Sequence, residues 1–218
     1  ELMPFTQSSE VATHWVLVGR DITERRTAAD AIHRLAFYDV LTGLPNRRLL
    51  MERLAAALEE TPANRGLNAI LYLDLDNFKN VNDARGHAVG DALLGHVATR
   101  LNQTVRNSDT VARIGGDEFV VLLGGLDANP SVASYVALDV AHTIRTALAA
   151  PLDLAGQPYN IGVSIGVALC LDARASSHDL LREADTAMYR AKANGRNGVV
   201  LFESAMPVSY THLRAHET

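Results

Sequence analysis

Two carboxylates follow two glycines near the middle of the chain, between two runs of apolar residues. Asp117 and Glu118 come directly after Gly115 and Gly116. The flanking residues are apolar enough to pair as antiparallel strands, and a Gly-Gly pair supplies the positive φ angles of a type I′ turn. The turn explains the glycines but not the acids, because charges beside a core strand repel each other and cost desolvation. The pattern predicts a hairpin over 109–124 that carries two acids at its tip.

A third acid, Asp74, lies near the end of an almost unbroken apolar run over 68–76, where the predicted strand leaves the core. If this strand and the hairpin are neighbours in one sheet, Asp74 and Asp117 can meet. Period-two alternation would then place Asp117 on the face of Phe119 and turn Glu118 to the other face. Two carboxylates that meet need a cation or a proton, and Mg²⁺ takes a couple of carboxylates, water and substrate phosphates. The alternative is an exposed turn with solvated acids, since turns attract Asp.

The composition narrows the class of protein. The chain has 218 residues, is 48% hydrophobic and carries a net charge of -5, which suits one compact domain with a flanking segment. It has no basic run of five residues, so a general nucleic-acid role is not expected. Cys170 is the single cysteine, which indicates a reducing compartment. With no apolar run of 18 residues and no signal-peptide pattern at its start, the sequence predicts a cytoplasmic protein with no membrane segment in this chain.

Hydrophobic periodicity predicts the elements that position the acids. Asn46 is a candidate N-cap for a helix that buries Leu50, Leu54 and Leu58, and Gly195 is a candidate C-cap for the last helix. A strand at 14–18 has no partner in sight, so its sheet is expected to lie upstream of the chain. The remaining predicted elements are helices at 22–37, 87–103, 131–149 and 177–193, two short strands within 154–169, and a closing strand at 198–202.

Five separated motifs, in order along the chain, resemble the GGDEF domain of diguanylate cyclases. They are "DVLTGLPNRR" at 39–48, "DLDNFKNVNDARGHAVGD" at 74–91, "RIGGDEF" at 113–119, "SIGVAL" at 164–169 and "ADTAMYRAKANGRN" at 184–197. The resemblance covers roughly residues 37–204. It implies an α+β fold with a mainly antiparallel central sheet and surrounding helices, like the palm of nucleotidyl cyclases. It also implies conversion of two GTP to cyclic di-GMP and two pyrophosphates, with one GTP held by each of two facing domains.

The resemblance assigns the acids to a metal centre. Asp74 and Asp117 match metal ligands, together with the backbone carbonyl of Leu75, and the implied cofactor is Mg²⁺ or Mn²⁺. Two metals stabilise the attacking and leaving oxygens when the 3′-hydroxyl of one GTP attacks the α-phosphate of the other. Glu118 matches a position that binds the second metal or helps to deprotonate the hydroxyl, and both roles stay open.

The resemblance also assigns residues to the guanine base. Asn82 and Asp91 match the pair that reads guanine. A carboxylate accepts hydrogen bonds from the N1–H and N2–H₂ groups of guanine, and adenine lacks this edge. Because position 91 is Asp, GTP is the expected substrate. The alternatives are a helix or turn cap for Asn82 and a first-turn helix acid for Asp91.

Phosphate contacts are implied for a basic set and for two backbone amides. Lys79, Lys192 and Arg196 match phosphate-binding positions, and the amides of Asn77 and Phe78 are candidate phosphate donors. For Lys192 and Arg196 the alternative is a plain helix C-terminus, where the dipole favours cations.

The segment "RNSD" lies where the family has its RxxD product-binding site. Arg106 and Asp109 are therefore expected to bind cyclic di-GMP as an allosteric inhibitor. The alternative is a surface ion pair between residues three apart, which is worth about 0.2–0.5 kcal/mol.

The flanks suggest a regulated protein. Residues 1–21 resemble the end of a PAS sensor domain, 22–37 a signalling linker helix, 38–204 the GGDEF domain, and 205–218 a non-native or disordered tail. The linker helix is either a capping helix or one half of a parallel two-helix contact in a homodimer.

Three functional interpretations follow from the sequence. The first is an active, Mg²⁺-dependent diguanylate cyclase, dimeric and product-inhibited, and the intact signature and metal positions favour it. The second is a catalytically silent module that binds GTP or cyclic di-GMP and regulates an attached domain such as a phosphodiesterase. The third is the cyclase half of a longer cyclase–phosphodiesterase protein, since "LFESAM" at 201–206 resembles the connector of such proteins.

Overall fold

The computed structural model describes residues 2–5, 14–17, 23–59, 66–154, 157–171 and 176–203. The predicted tail at 205–218 and most of the predicted sensor end at 1–21 lie outside the described residues. The chain divides into two compact units, residues 1–36 and 37–218.

The first unit contains two strands and a helix. Strand β1 (Leu2–Phe5) pairs in antiparallel fashion with β2 (His14–Leu17), and α1 spans Thr23–Phe37. The prediction that the strand at 14–18 finds its partner only upstream of the chain was therefore wrong. Two large apolar side chains on α1, Ile32 and Leu35, are 68% and 66% exposed.

The second unit holds the central sheet. Its helices are α2 (Arg47–Glu59), α3 (Phe78–Arg85), α4 (His87–Thr104), α5 (Pro130–Ala149) and α6 (Ser177–Ala193). Its strands are β3 (Leu67–Leu75), β4 (Thr110–Gly115), β5 (Glu118–Leu126), β6 (Leu152–Leu154), β7 (Gln157–Tyr159), β8 (Val163–Leu169) and β9 (Val199–Leu201). The sequence did not predict α3 or β6.

Five strands form the sheet in the order β4-β5-β3-β8-β9. All neighbours are antiparallel except β8 and β9, which are parallel. A mainly antiparallel sheet with surrounding helices confirms the predicted α+β fold. β6 and β7 form a separate two-stranded sheet.

Apolar layers cover both faces of β3, which is why its sequence is an almost unbroken apolar run. Ile70 and Tyr72 point into a cluster with residues of α2 and α6, whereas Leu71 and Leu73 point into a larger cluster with residues of α4 and α5. Asp74 continues the alternation of Tyr72, so it lies on the α6 face where the strand leaves the core. The predicted burial of α2 is confirmed for Leu50 and Leu54, whereas Leu58 is only partly buried.

The backbone of α6 comes very close to the sheet at Gly166 of β8. A β-carbon on Gly166 would overlap the carbonyl oxygen of Ala184 and the amide nitrogen of Met188, and would lie 2.9 Å from the carbonyl carbon of Ala187. The absence of a side chain at Gly166 therefore sets the distance between α6 and the sheet.

The signature hairpin turns one residue later than predicted. Gly115 is paired with Glu118, so the two turn residues are Gly116 and Asp117, and the register shifts between Arg113 and Gly115. Of the two turn residues only Gly116 has a positive φ, at 43°. A type I′ turn requires positive φ at both, so that predicted turn type was wrong. Asp117 belongs to the turn rather than to a strand face.

Candidate functional site

Three acids meet at one end of the sheet. Asp74 on β3 lies directly opposite Glu118 on β5 and opposite Ser164 on β8. Directly opposed residues share a sheet face, so Asp74 and Glu118 both lie on the α6 face. The turn residue Asp117 is tied to β3 through its backbone carbonyl, which accepts a hydrogen bond from the amide of Leu75 at 3.3 Å. The strand partner of Asp74 is thus Glu118, with Asp117 beside it in the turn.

Lys192 of α6 forms an ion pair with one of these acids, Asp74. Its Nζ lies 2.6 Å from Oδ2 of Asp74, and both side chains are largely buried. The pKa of Asp74 is raised to about 6, chiefly because the carboxyl is buried and also because of the charges of Asp117 and Glu118, while Lys192 opposes the rise. A predicted phosphate ligand and a predicted metal ligand are therefore in contact, on segments far apart in the sequence.

This raised pKa predicts a pH-dependent stability. The folded chain binds the Asp74 proton more tightly than the unfolded chain, whose Asp has a pKa of about 3.9, so the free energy of unfolding falls as pH rises from about 4 to about 6. Asp74→Asn removes this contribution. Urea unfolding is measured in EDTA at about pH 4.5 and about pH 7. Between these two pH values the free energy of unfolding should fall by about 1–3 kcal/mol more in wild type than in Asp74→Asn. Equal losses in the two proteins would contradict it.

A buried tyrosine that sequence reasoning missed supports Glu118. Tyr72 is on the same face of β3, two residues before Asp74, and its hydroxyl donates a hydrogen bond to the side chain of Glu118. Burial raises the pKa of Tyr72 far above its usual range, as do the charges of Glu118 and Asp185, so the hydroxyl stays a neutral donor. A hydroxyl inside an otherwise apolar strand was the available signal.

Asp76 also has a role that the sequence did not reveal. Its Oδ1 accepts a hydrogen bond from the Ser164 hydroxyl at 2.7 Å, and its Oδ2 accepts one from the amide of Asn197 at 2.8 Å. Arg196 and Asn197 have φ angles of 64° and 42°, a left-handed conformation that Asn tolerates but that is unfavourable for Arg. Asp76 therefore holds the strained loop that carries Arg196, which lies beyond the end of α6 at Ala193.

The remaining phosphate candidates surround the start of α3. Asn77 precedes the helix with a left-handed φ of 59°, Phe78 is the first helical residue and is buried, and Lys79 is exposed. The first amides of a helix have no intrahelical partner and favour anions. The structure places these three residues directly after β3, next to the acids.

Asn82 and Asp91 lie on two consecutive helices joined at Gly86. Asn82 is half-buried on α3, and its backbone carbonyl accepts the amide of Gly86 at 2.8 Å, while its side chain lies against Gly90 of α4. Asp91 is exposed and is the fifth residue of α4, beyond the first turn. The first-turn alternative for Asp91 therefore does not hold.

Arg106 and Asp109 form a tight turn before β4. The amide of Arg106 donates to Oδ2 of Asp109 at 3.0 Å, and the amide of Asp109 donates to the carbonyl of Arg106 at 3.0 Å. Within the described ranges, no ion pair joins the two side chains, so the surface ion-pair alternative is not what the structure shows. The side chain of Arg106 is exposed.

The signature turn is anchored by an arginine on β4. Nη1 of Arg113 lies 3.0 Å from both carboxylate oxygens of Asp39, and its Nε and Nη2 donate to the carbonyl of Gly116 at 3.0 and 2.7 Å. Burial alone would raise the pKa of Asp39, but hydrogen bonds from Thr42 and Arg113 outweigh it and lower the pKa. Arg113 thus connects the turn before α2 to the turn that carries Asp117.

The acids suit a hard divalent cation. In the described part of the chain, no three His, Cys, Asp or Glu side chains form a cage that could hold a metal by themselves. Mg²⁺ does not need such a cage, because it is usually held by one or two carboxylates, water and substrate phosphates. Asp74, Asp117 and Glu118 carry the oxygen donors that such a site would use, and Mn²⁺ accepts the same ligands. No described helix is long and apolar enough to cross a bilayer.

Comparisons with known proteins find one matching family and several similar proteins. Residues 36–198 match the family described as "Diguanylate cyclase, GGDEF domain". The bifunctional diguanylate cyclase/cyclic di-GMP phosphodiesterase MucR of Pseudomonas aeruginosa is 43% identical over 173 residues, which are 79% of this chain and 24% of MucR. The GGDEF domain of TpbB from Pseudomonas aeruginosa has a TM-score of 0.70 at 40% identity, covering 76% of this chain and 94% of that one.

A second solved structure is similar and contains a ligand. The coiled coil and GGDEF domain of DgcB from Caulobacter crescentus, in complex with c-di-GMP, has a TM-score of 0.73 at 29% identity, covering 83% of this chain and 93% of that one. The chain spans between 18% and 38% of the length of eight curated relatives that it matches.

Proposed function

Because the chain belongs to the GGDEF domain family of diguanylate cyclases, we propose that it condenses two GTP into cyclic di-GMP and releases two pyrophosphates. The observation that carries this proposal is the group of acids at the end of β3 and β5. Asp74 and Glu118 lie side by side on one sheet face, Asp117 lies in the adjoining turn, and Lys192 of α6 pairs with Asp74.

In the proposed reaction, the acids hold the cation and the bases hold the triphosphate. Asp74, Asp117 and the carbonyl of Leu75 would hold Mg²⁺ or Mn²⁺, which supplies charge neutralisation at the reacting phosphate. Lys79, Lys192 and Arg196 bind the phosphates, with the amides of Asn77 and Phe78 at the start of α3.

Glu118 completes the reacting centre. The 3′-hydroxyl oxygen of one GTP bonds to the α-phosphorus of the other, the bond to pyrophosphate breaks, and the hydroxyl proton leaves towards Glu118 or water. A second, equivalent step closes the ring. The hydrogen bond from Tyr72 fixes the orientation of Glu118, while Asn82 and Asp91 select guanine.

Two GTP on two domains require a homodimer. We propose that α1 brings the domains together as a signalling linker behind a PAS-like sensor end at 1–21, because its apolar Ile32 and Leu35 are exposed in the single chain. The bifunctional relative MucR favours a longer protein with a phosphodiesterase domain as the wider context.

The proposed function is tested by incubating the pure protein with GTP and Mg²⁺. We expect cyclic di-GMP and pyrophosphate in a ratio of one to two, with no product from ATP and none in EDTA. Tight GTP binding without product would instead identify a silent regulatory module.

Product inhibition is a separate expectation of the proposal. Arg106 offers a guanidinium to phosphate or to a guanine edge, and Asp109 accepts from guanine, on a turn at the far end of β4 from the acids. Arg106→Ala should leave the initial velocity within about twofold and raise the inhibition constant of added cyclic di-GMP about tenfold or more.

Arg145→Ala on α5 is the control for this variant, and it should keep the wild-type inhibition constant. If Arg106→Ala also keeps it, the product does not bind at this turn.

A further inference from the structure

The glycine before Asp91 has a feature that its own backbone does not require. Gly90 lies inside α4, is buried, and has an ordinary helical φ, so no unusual backbone angle calls for glycine. Glycine inside a helix is unfavourable by about 0.5–1 kcal/mol relative to alanine. Something other than backbone conformation must therefore account for the missing side chain.

The space beside Gly90 is filled by Asn82. A β-carbon on Gly90 would overlap Oδ1 of Asn82 and would lie 3.0 Å from its Cγ and 3.2 Å from Cζ of Phe78. The Phe78 ring, which is buried, also borders this space. The amide of Asn82 thus rests on the bare backbone of α4, and any side chain at position 90 would displace it.

This contact fixes the position of Asn82 relative to Asp91, the other residue proposed to bind guanine. Asp91 follows Gly90 on the same helix, so the placement of the Asn82 amide against Gly90 also sets its distance from the Asp91 carboxylate. A base edge that needs both groups at once is sensitive to a shift of about 1 Å in either one.

We propose that Gly90 is a specificity-determining positioning residue, whose lack of a side chain places the Asn82 amide beside Asp91 for recognition of a guanine edge. This inference rests on the proposed function, because it takes GTP as the ligand. Gly90 does not touch the nucleotide itself and acts only through Asn82.

The test compares two glycines of one helix. Gly95 is also on α4, and a β-carbon there would meet no atom within 4 Å. Binding of GTP and of ATP is measured calorimetrically with Ca²⁺ in place of Mg²⁺, to slow turnover. Gly90→Ala should weaken GTP binding about tenfold or more with little change for ATP, whereas Gly95→Ala should change neither.

A double-mutant cycle provides a readout that needs no nucleotide. With Asn82→Ala the obstructing oxygen is gone, so Gly90→Ala should be destabilising in the wild-type background and clearly less so, or stabilising, in the Asn82→Ala background. A glycine whose missing side chain has nothing to do with Asn82 would show the same change in melting temperature in both backgrounds.

The outcomes distinguish a failure of the role proposed for Gly90 from a failure of the proposed function. If wild type prefers GTP and Gly90→Ala keeps that preference, the role of Gly90 is refuted while the proposed function stands. If wild type binds GTP and ATP alike although the cycle shows coupling, the guanine assignment fails and this inference falls with it.

Discussion

Replacing Asp117 with alanine is expected to lower the rate of cyclic di-GMP synthesis by about a thousandfold, equivalent to about 4 kcal/mol at the transition state, while the fold persists. In the proposed reaction, Asp117 supplies one of the few carboxylates that would neutralise a cation at the reacting phosphate. Its side chain is half-buried in the turn, and its backbone carbonyl, which bonds the amide of Leu75, is retained by alanine. The measurements are turnover at saturating GTP and Mg²⁺ and the urea unfolding curve.

Two further variants separate charge from turn shape. Asp117→Asn keeps the size of the side chain and removes its charge, so it should lose nearly as much activity as alanine. Asp139→Ala replaces an exposed acid on α5 and should leave turnover unchanged. Substantial product from either Asp117 variant would mean that this carboxylate takes no part in the reaction.

Replacing Gly166 with alanine is expected to lower the free energy of unfolding by about 3 kcal/mol, at the upper end of the usual cost of overpacking. The added methyl group would meet backbone atoms of α6, which cannot rotate away as a side chain can. The helix must lift from β8, and Lys192 moves with it, away from Asp74. We therefore also expect weaker GTP binding in the fraction that stays folded.

Gly124 provides the matched strand glycine. It lies on β5, and a β-carbon there would have Oδ1 of Asn68 as its nearest neighbour at 3.8 Å. Gly124→Ala should change the free energy of unfolding by less than about 1 kcal/mol. The change should be an increase if the main effect of alanine is to lower the conformational entropy of the unfolded chain. Urea unfolding of both variants is the measurement, and equal free energies of unfolding would show that α6 does not pack closely against Gly166.

Long periodic segments made most of the fold predictable. The helices α4, α5 and α6 and the strand β3 each carry enough apolar residues for their period to be read. The helix α3 was missed because it has only eight residues, of which Phe78 and Val81 are buried, and two turns cannot establish a period. The turn type was wrong because the register shift before Gly115 depends on how two strands pair, which local sequence does not specify.

The candidate site was also predictable only in part. The motifs identified its residue types in order along the chain, but not which of them touch. The contact of Lys192 with Asp74, and the bonds that Asp76 makes to Ser164 and Asn197, join segments separated by much of the chain. Such roles depend on what the fold places opposite a residue, so a single sequence without its structure could not assign them.

The bonds of Arg113 have a consequence for the design of fusions that join this domain to a sensor domain. Asp39 lies before α2, and the amide of Asn46 bonds the carbonyl of Phe37. A fusion point placed after Asp39 would keep every strand of the sheet and every proposed ligand, yet it would leave the largely buried Arg113 without its carboxylate. Chimeras joined before Phe37 should therefore retain the proposed cyclase activity, whereas those joined a few residues later should fold but show much lower activity.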